Sequence, residues 1–148
     1  MESEVRVSIE ADADLVTARA EARAIAERLG FPRPDPTLIA TAISEVGRNI
    51  VVHAGQGEIV LRPLDEPDRY GIVVIATDDG PGIRDLDAAL SDDFSGRGGL
   101  GLGLPGARRL MDEFEIASDA DSGTTVTMRK WRHRDELARL REERRRRA

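Results

Sequence analysis

The chain has 148 residues, a formal net charge of −6 and no cysteine. This length suits one domain with a single hydrophobic core, and the lack of cysteine excludes disulfides, thiolate zinc sites and cysteine nucleophiles. We expect a cytoplasmic protein without a membrane partner, because the acidic N-terminal residues do not resemble a signal peptide and no apolar run approaches the ~20 residues that cross a bilayer.

The charge is unevenly distributed along the chain. Residues 129–148 carry ten Arg or Lys against four Asp or Glu, a net of +6, which leaves −12 on residues 1–128. A protein that binds duplex DNA is expected to have a basic face on its folded body, so we predict no nucleic-acid partner. We interpret residues 1–131 as the folded domain and 132–148 as a basic tail. That tail is either a solvated terminus or a contact for a nucleic acid or another anionic partner.

The first part of the chain predicts one strand and two helices. Apolar and polar residues alternate at 5–9, which is the period of a half-buried strand. Apolar residues at helical spacing over 15–29 predict the first helix. The second helix begins at Asp35 as its N-cap, has Pro36 at its first helical position and runs to about His53.

The rest of the chain predicts four strands and one more helix around a long irregular segment. The predicted elements are strands at 57–64 and 70–77, irregular chain from 78 to 103, a helix at about 105–111, and strands at 114–118 and 124–130. The order βααββ, loop, αββ predicts an α/β (α+β) two-layer sandwich, with a mixed sheet and three helices on one face.

Two polar residues of the second helix could form part of a site. Glu45 and Asn49 are one turn apart at the edge of an apolar stripe, so they share a face of the helix. Such a pair suits a magnesium–phosphate site, in which the amide oxygen is a metal ligand and the carboxylate a proton acceptor. The alternative is a solvated Glu and a surface Asn.

A second candidate segment follows the most apolar strand. Asp78, Gly80 and Gly82 form the pattern D-x-G-x-G at the strand end. Glycines there let the main chain turn and approach a planar ligand, while the carboxylate can accept a hydrogen bond from an exocyclic amine. The alternative is an ordinary turn.

The third segment is rich in glycine and leads into a helix. Flexible backbone over 96–103 precedes a helix N-terminus, where free N–H groups favour phosphate oxygens, so we predict a flap over a nucleotide. It is not a P-loop, because that motif requires Gly-Lys-Ser/Thr and the only lysine of the chain is Lys130.

The three segments, in this order, resemble the GHKL nucleotide-binding superfamily, whose domain is the Bergerat fold. The matching segments are Glu45 with Asn49 as the N box, Asp78–Gly82 as the first glycine box, Gly99–Gly103 as the second, and Gly123-Thr124-Thr125 as the terminal threonine segment. Within the superfamily, residues from about 5 to 131 resemble the serine/threonine switch kinases of the bacterial stressosome. Gly47 departs from the alanine expected there, at a cost of about 1 kcal/mol of helix propensity.

The resemblance implies a kinase that uses ATP and Mg²⁺ to phosphorylate STAS-domain scaffold and antagonist proteins. When released from them, such a kinase binds and activates a PP2C-type phosphatase. Glu45 would accept the proton of the substrate hydroxyl, Asn49 would coordinate Mg²⁺, and Asp78 would bind the adenine amine. The full predicted ATP-binding set is Asn49, Asp78, Gly80, Gly82, Ile83, Arg97, Gly98, Gly99, Leu100, Gly101, Leu102, Gly103, Thr124 and Thr125.

Two alternatives stay open. Arg97 either covers the phosphates or, as a loop-tip arginine, contacts only water or a partner. Anti-sigma factors carry much the same boxes, so the chain could instead be a binding switch that sequesters a partner, with or without kinase activity.

Overall fold

The computed structural model describes residues 4–83, 90 and 103–147. The helices and strands are β1 (Val5–Ile9), α1 (Asp12–Leu29), α2 (Asp35–Asn49), a π-helical segment (Ile50–Ala54), β2 (Gly57–Asp65), β3 (Arg69–Asp78), α3 (Gly103–Leu110), β4 (Glu113–Asp119), β5 (Gly123–His133) and α4 (Arg134–Arg147). Among these, no helix combines the length and the apolar character that a bilayer crossing requires.

The five strands form one sheet in the order β1-β2-β3-β5-β4, and every neighbouring pair is antiparallel. The prediction of a mixed sheet was therefore wrong. β3 and β4 do run in the same direction, because both are antiparallel to β5. They would form a parallel pair through the connection that contains α3, but β5 inserts between them.

One face of the sheet, which we call the inner face, packs against the helices. Its buried residues and those of the helices form a single cluster, to which α1 contributes Leu15, α2 contributes Ile43 and α3 contributes Leu104. Strand residues such as Val74 and Met128, directly opposite each other on β3 and β5, supply the sheet side of this core. The predicted two-layer sandwich, with its three helices on one face, is confirmed.

The opposite face of the sheet, which we call the outer face, is covered by charged side chains. Arg129 on β5 makes ion pairs with Glu113 and Glu115 on β4, at 3.2 and 2.9 Å. Arg69 stacks over the ring of Trp131 at 3.6 Å. The pKa of Arg129 is raised, first by its hydrogen bond to Glu115, so this ladder of charges holds its guanidinium in the charged form.

Two local predictions about α2 differ from the structure. Asp35 does not cap α2 through its side chain, since the N-cap residue is Pro34. The Asp35 carboxylate is buried and lies 3.7 Å from the Arg132 guanidinium, so it joins the start of α2 to β5. Helical structure does continue past Asn49, but it changes to the wider π form from Ile50 to Ala54.

Candidate functional site

The ends of three strands meet at one edge of the inner face. Asp78 at the end of β3 is paired with Thr124 at the start of β5, and Thr124 is paired with Ser118 near the end of β4. The core residue Ala76 lies two positions before Asp78, and the core residue Val126 lies two positions after Thr124. Because side chains alternate along a strand, Asp78, Thr124 and the paired Ser118 also point to the helix side. Thr124 is buried there, at 4% exposure.

A hydrogen-bond network connects these strand ends to the D-x-G-x-G segment. The backbone N–H of Ile83 donates to the hydroxyl of Ser118 at 2.7 Å. That hydroxyl also lies 2.8 Å from the hydroxyl of Thr124. The loop after β3 is thus fastened to the β4–β5 hairpin through one serine.

The loop itself is shaped around Asp78. One carboxylate oxygen, Oδ1, accepts a hydrogen bond from the Gly80 N–H at 2.9 Å, which turns the chain directly after the strand. Gly80 lies against Ala54 of the π-helical segment, where a Cβ would stand 2.6 Å from the Ala54 Cβ. Gly82 has a φ of 77° and lies against the Asp119 carbonyl. Among the described residues, the second oxygen of Asp78 has no hydrogen-bond donor.

The other side of the site comes from α2. Glu45 is half-buried, and its Oε1 accepts a hydrogen bond from the backbone N–H of Gly103 at 2.8 Å. Gly103 is the first residue of α3, so the carboxylate contacts the free N–H groups that begin this helix. In the part of the chain that the structure describes, this contact engages only one of the two Glu45 oxygens.

Asn49 is half-buried and is the last residue of α2. The residue after it, Ile50, lies close to the end of β3. Ile50 Cγ2 and Asp78 Cβ both lie close to Gly57, at 2.8 and 3.1 Å from the position a Cβ would take there. The helix that carries Glu45 and Asn49 and the strand that carries Asp78 therefore border the same region.

One predicted ligand residue is not in this region. Thr125 is paired with Thr77, points to the outer face and is exposed, because neighbouring residues of a strand point to opposite sides. The Thr125 side chain therefore faces away from the strand ends that carry Asp78 and Thr124, and its place in the ATP-binding set stays a prediction. Gly103 is described, whereas the predicted lid residues Arg97, Gly98, Gly99, Leu100, Gly101 and Leu102 lie outside the described residues.

The sequence analysis missed Ser118. The signal was present, because a turn at 119–123 between two strands places residues 118 and 124 opposite each other. A serine opposite a predicted ligand threonine is a candidate for orienting it.

The chain is similar to a known domain family and to two characterised proteins. Residues 9–130 match the histidine kinase-like ATPase domain family. The chain is 46% identical to the serine/threonine-protein kinase RsbT of Bacillus subtilis over 125 residues, which cover 84% of this chain and 94% of the relative. It is 34% identical to the anti-sigma F factor of Caldanaerobacter subterraneus over 108 residues, covering 66% of this chain and 74% of the relative.

Among solved structures, the fold is similar to a crystal structure of the RsbU and RsbW domains of a Mycobacterium tuberculosis protein. The TM-score is 0.59 and the sequence identity 25%. The similarity covers 90% of this chain and 32% of that one, so the domain corresponds to a part of that larger protein.

Proposed function

The chain belongs to the histidine kinase-like ATPase domain family, and from that premise we propose that it is a serine/threonine protein kinase. It transfers the γ-phosphoryl group of ATP to a Ser or Thr hydroxyl of a partner protein. Its relative with 46% sequence identity is a serine/threonine-protein kinase, which supports this reaction class.

The observation that carries the proposal is the 2.8 Å hydrogen bond from the Gly103 N–H to Glu45. The N-terminus of a helix is where phosphate oxygens bind. A carboxylate that contacts this helix end is next to the place where the γ-phosphate would be held. Glu45 is therefore in position to act on a hydroxyl that approaches that phosphate.

The reaction requires one proton acceptor. The Ser or Thr oxygen of the partner forms a bond to the γ-phosphorus, the bond from that phosphorus to the β–γ bridging oxygen breaks, and ADP leaves. The hydroxyl proton passes to the free oxygen of Glu45, while the Gly103 N–H orients the other oxygen. Most of the remaining catalysis is positioning and charge neutralisation.

The nucleotide base would lie at the strand ends. Asp78 accepts a hydrogen bond from the adenine N6 amine with the oxygen that Gly80 does not occupy. Thr124, directly across from Asp78 in the sheet, contacts the neighbouring atom of the base. The half-buried Ile83 supplies an apolar surface beside the ring.

The donor atoms at the end of α2 fit Mg²⁺ that arrives with the nucleotide. Mg²⁺ is commonly held by one or two protein oxygens together with substrate phosphates and waters. The amide oxygen of Asn49, one turn from Glu45, is an oxygen ligand of this type. A Mg²⁺ ion held there would supply positive charge that offsets the negative charge developing during transfer.

The partners in this proposal are STAS-domain scaffold and antagonist proteins as substrates, and a PP2C-type phosphatase that the released kinase activates. They follow from the resemblance to stressosome switch kinases, as does a place in stress signalling. A cytoplasmic location stays a prediction from the sequence.

A second candidate is an anti-sigma factor that sequesters its partner. The 34% identity to an anti-sigma F factor favours it, because that similarity covers two-thirds of this chain. The higher identity to the serine/threonine-protein kinase, 46% against 34%, favours the kinase.

The test is incubation of the purified chain with labelled ATP, Mg²⁺ and a STAS-domain protein encoded beside it, with a sigma factor from the same organism as the competing partner. Label on a Ser or Thr of the STAS-domain protein is expected. Stable capture of the sigma factor, with no label on the STAS-domain protein, would establish the second candidate instead.

A further inference from the structure

We propose that Ser118 is a positioning residue that fixes the direction of the Thr124 hydroxyl proton and thereby makes the site selective for adenine. The inference rests on the proposed nucleotide site and adds to it a residue outside the motifs that predicted that site. It is carried by the hydrogen bonds among Ile83, Ser118 and Thr124.

The first step is the bond from Ile83. A backbone N–H can only donate, so the Ser118 oxygen is the acceptor in this 2.7 Å contact. A serine hydroxyl has one proton to donate and two lone pairs. After this bond, Ser118 keeps its proton and one lone pair.

The hydrogen bond between Ser118 and Thr124 could run in either direction, because its 2.8 Å distance allows either hydroxyl to donate. A hydroxyl that accepts a hydrogen bond becomes a stronger donor, since bonds in a chain polarise one another. Because Ser118 already accepts from Ile83, this polarisation favours it as the donor to Thr124, so that the chain of bonds runs from Ile83 through Ser118 to Thr124.

This direction leaves the Thr124 proton without a partner in the described part of the chain. Its oxygen is occupied by Ser118, and its own proton has no hydrogen-bond partner among the residues described, although the side chain is only 4% exposed. Buried polar groups are normally hydrogen-bonded. This leftover donor lies across from Asp78 and is completed by a ligand that offers an acceptor there.

The resulting pair is an acceptor on Asp78 beside a donor on Thr124. Adenine matches it, because its N6 amine donates and its N1 accepts. Guanine presents the reverse, an O6 acceptor and an N1–H donor. Its O6 would face the Asp78 acceptor, and its N1–H would face the Thr124 donor. Without Ser118, the Thr124 hydroxyl could rotate and would no longer exclude the wrong base.

The test measures the affinity of the full chain for ATP, GTP and 1-deaza-ATP, which lacks the N1 acceptor, by titration calorimetry. Ser118→Ala should bind ATP about twofold to tenfold more weakly, the range for one net hydrogen bond, and should prefer ATP over GTP less strongly. Its affinity for 1-deaza-ATP should fall less than its affinity for ATP, because that ligand never receives the Thr124 proton and loses only the support that the Ile83 bond gives to the loop. Ser118→Thr, which keeps the hydroxyl, should restore the affinity for ATP.

The controls separate orientation from damage. Ser8→Ala makes the same change at an exposed strand position on the outer face and should match the wild type toward all three nucleotides. Equal weakening of ATP and 1-deaza-ATP by Ser118→Ala, or no weakening of either, overturns the inference while the kinase proposal stands. A wild-type chain that binds no nucleotide overturns the kinase proposal and this inference with it.

A second variant covers the case in which Ser118→Ala does not fold. Thr124→Val removes the proton itself while keeping the side-chain shape, so it should weaken ATP and spare 1-deaza-ATP. If Thr124→Val binds both nucleotides as the wild type does, the proton has no role and the inference is wrong.

Discussion

Thr124 and Thr125 are neighbours of the same residue type, but the two faces of β5 give them different surroundings. Thr124 is buried on the inner face, bonded to Ser118 and opposite Asp78. Thr125 is exposed on the outer face, where the strand goes on to the ion pairs of Arg129. One strand thus supports a candidate ligand site on one side and a solvated charged surface on the other, and side-chain direction decides which residues can take part in chemistry.

The largest difference between an inner-face and an outer-face substitution is expected in phosphoryl transfer, at the proposed proton acceptor Glu45. Glu45→Gln should lower phosphoryl transfer by about 100-fold or more, the scale of general-base catalysis, because the amide cannot take the hydroxyl proton. ATP affinity should change little, since an amide oxygen can still accept from the Gly103 N–H. Single-turnover transfer and nucleotide titration measure the two effects.

The matched outer-face change is Glu115→Gln, which removes an exposed carboxylate whose ion pair, among the described residues, is with Arg129. Transfer at the normal rate is expected from it. Normal transfer by Glu45→Gln would show that the assignment of the proton acceptor is wrong.

A smaller but still large effect is expected at Gly123. This residue has a φ of 81°, and a Cβ on it would collide with the Asp78 carbonyl. Gly123→Ala should therefore lower the free energy of unfolding by about 2–4 kcal/mol, the sum of backbone strain and overpacking, and should weaken ATP binding by displacing Asp78. Urea unfolding and nucleotide titration test this.

Gly55 provides the control for Gly123. Its φ of 86° is nearly the same, but a Cβ there meets nothing within 4 Å. Gly55→Ala should carry only the backbone strain of an L-residue at positive φ, about 1–2 kcal/mol. Equal losses for the two variants would mean that contact with Asp78 contributes nothing.

The next prediction concerns the packing of α2 against α1 and the inner face of the sheet. Helix propensity alone predicts that Gly47→Ala stabilises α2 by about 1 kcal/mol. The structure predicts the opposite sign, because a Cβ would collide with Leu15 Cδ2 and stand 3.5 Å from Ile59 Cδ1. A net loss of about 1–2 kcal/mol is expected from overpacking. An increase in the urea midpoint would contradict it.

The smallest effect is expected on the outer face. Arg129→Ala removes two ion pairs with partly exposed partners, and such pairs contribute about 0–1 kcal/mol. The loss should shrink further as salt is raised, because solvent-exposed charges are screened. Unfolding at low and high salt measures it, and a loss of several kcal/mol would mean that this face supports the fold far more than its exposure suggests.

Much of the fold followed from local patterns in the sequence. Alternation, apolar spacing and turn residues located the five strands and the helices α1, α2 and α3 to within about three residues, and the D-x-G-x-G segment was identified from its position after an apolar strand. These features depend on residues that are close in sequence, so they can be recognised without tertiary contacts.

The errors came from contacts between distant residues. The direction of the strand pairs depends on β5 inserting beside β3, which no local pattern indicates. Asp35 looked like an N-cap, but its burial next to Arg132 comes from a strand almost a hundred residues later. Gly47 seemed a costly departure from alanine until the position of Leu15 gave the reason.

The central place of β5 in the sheet has a consequence for protein synthesis. A nascent chain that has left the ribosome only as far as β4 contains Glu45, Asn49 and Asp78, but β3 then has no strand along the edge that β5 will cover. Unpaired strand edges of this length invite association with other chains. A premature stop before residue 123 should therefore produce an aggregating fragment and not a weak kinase, and the last strand to be translated completes both the sheet and the binding site.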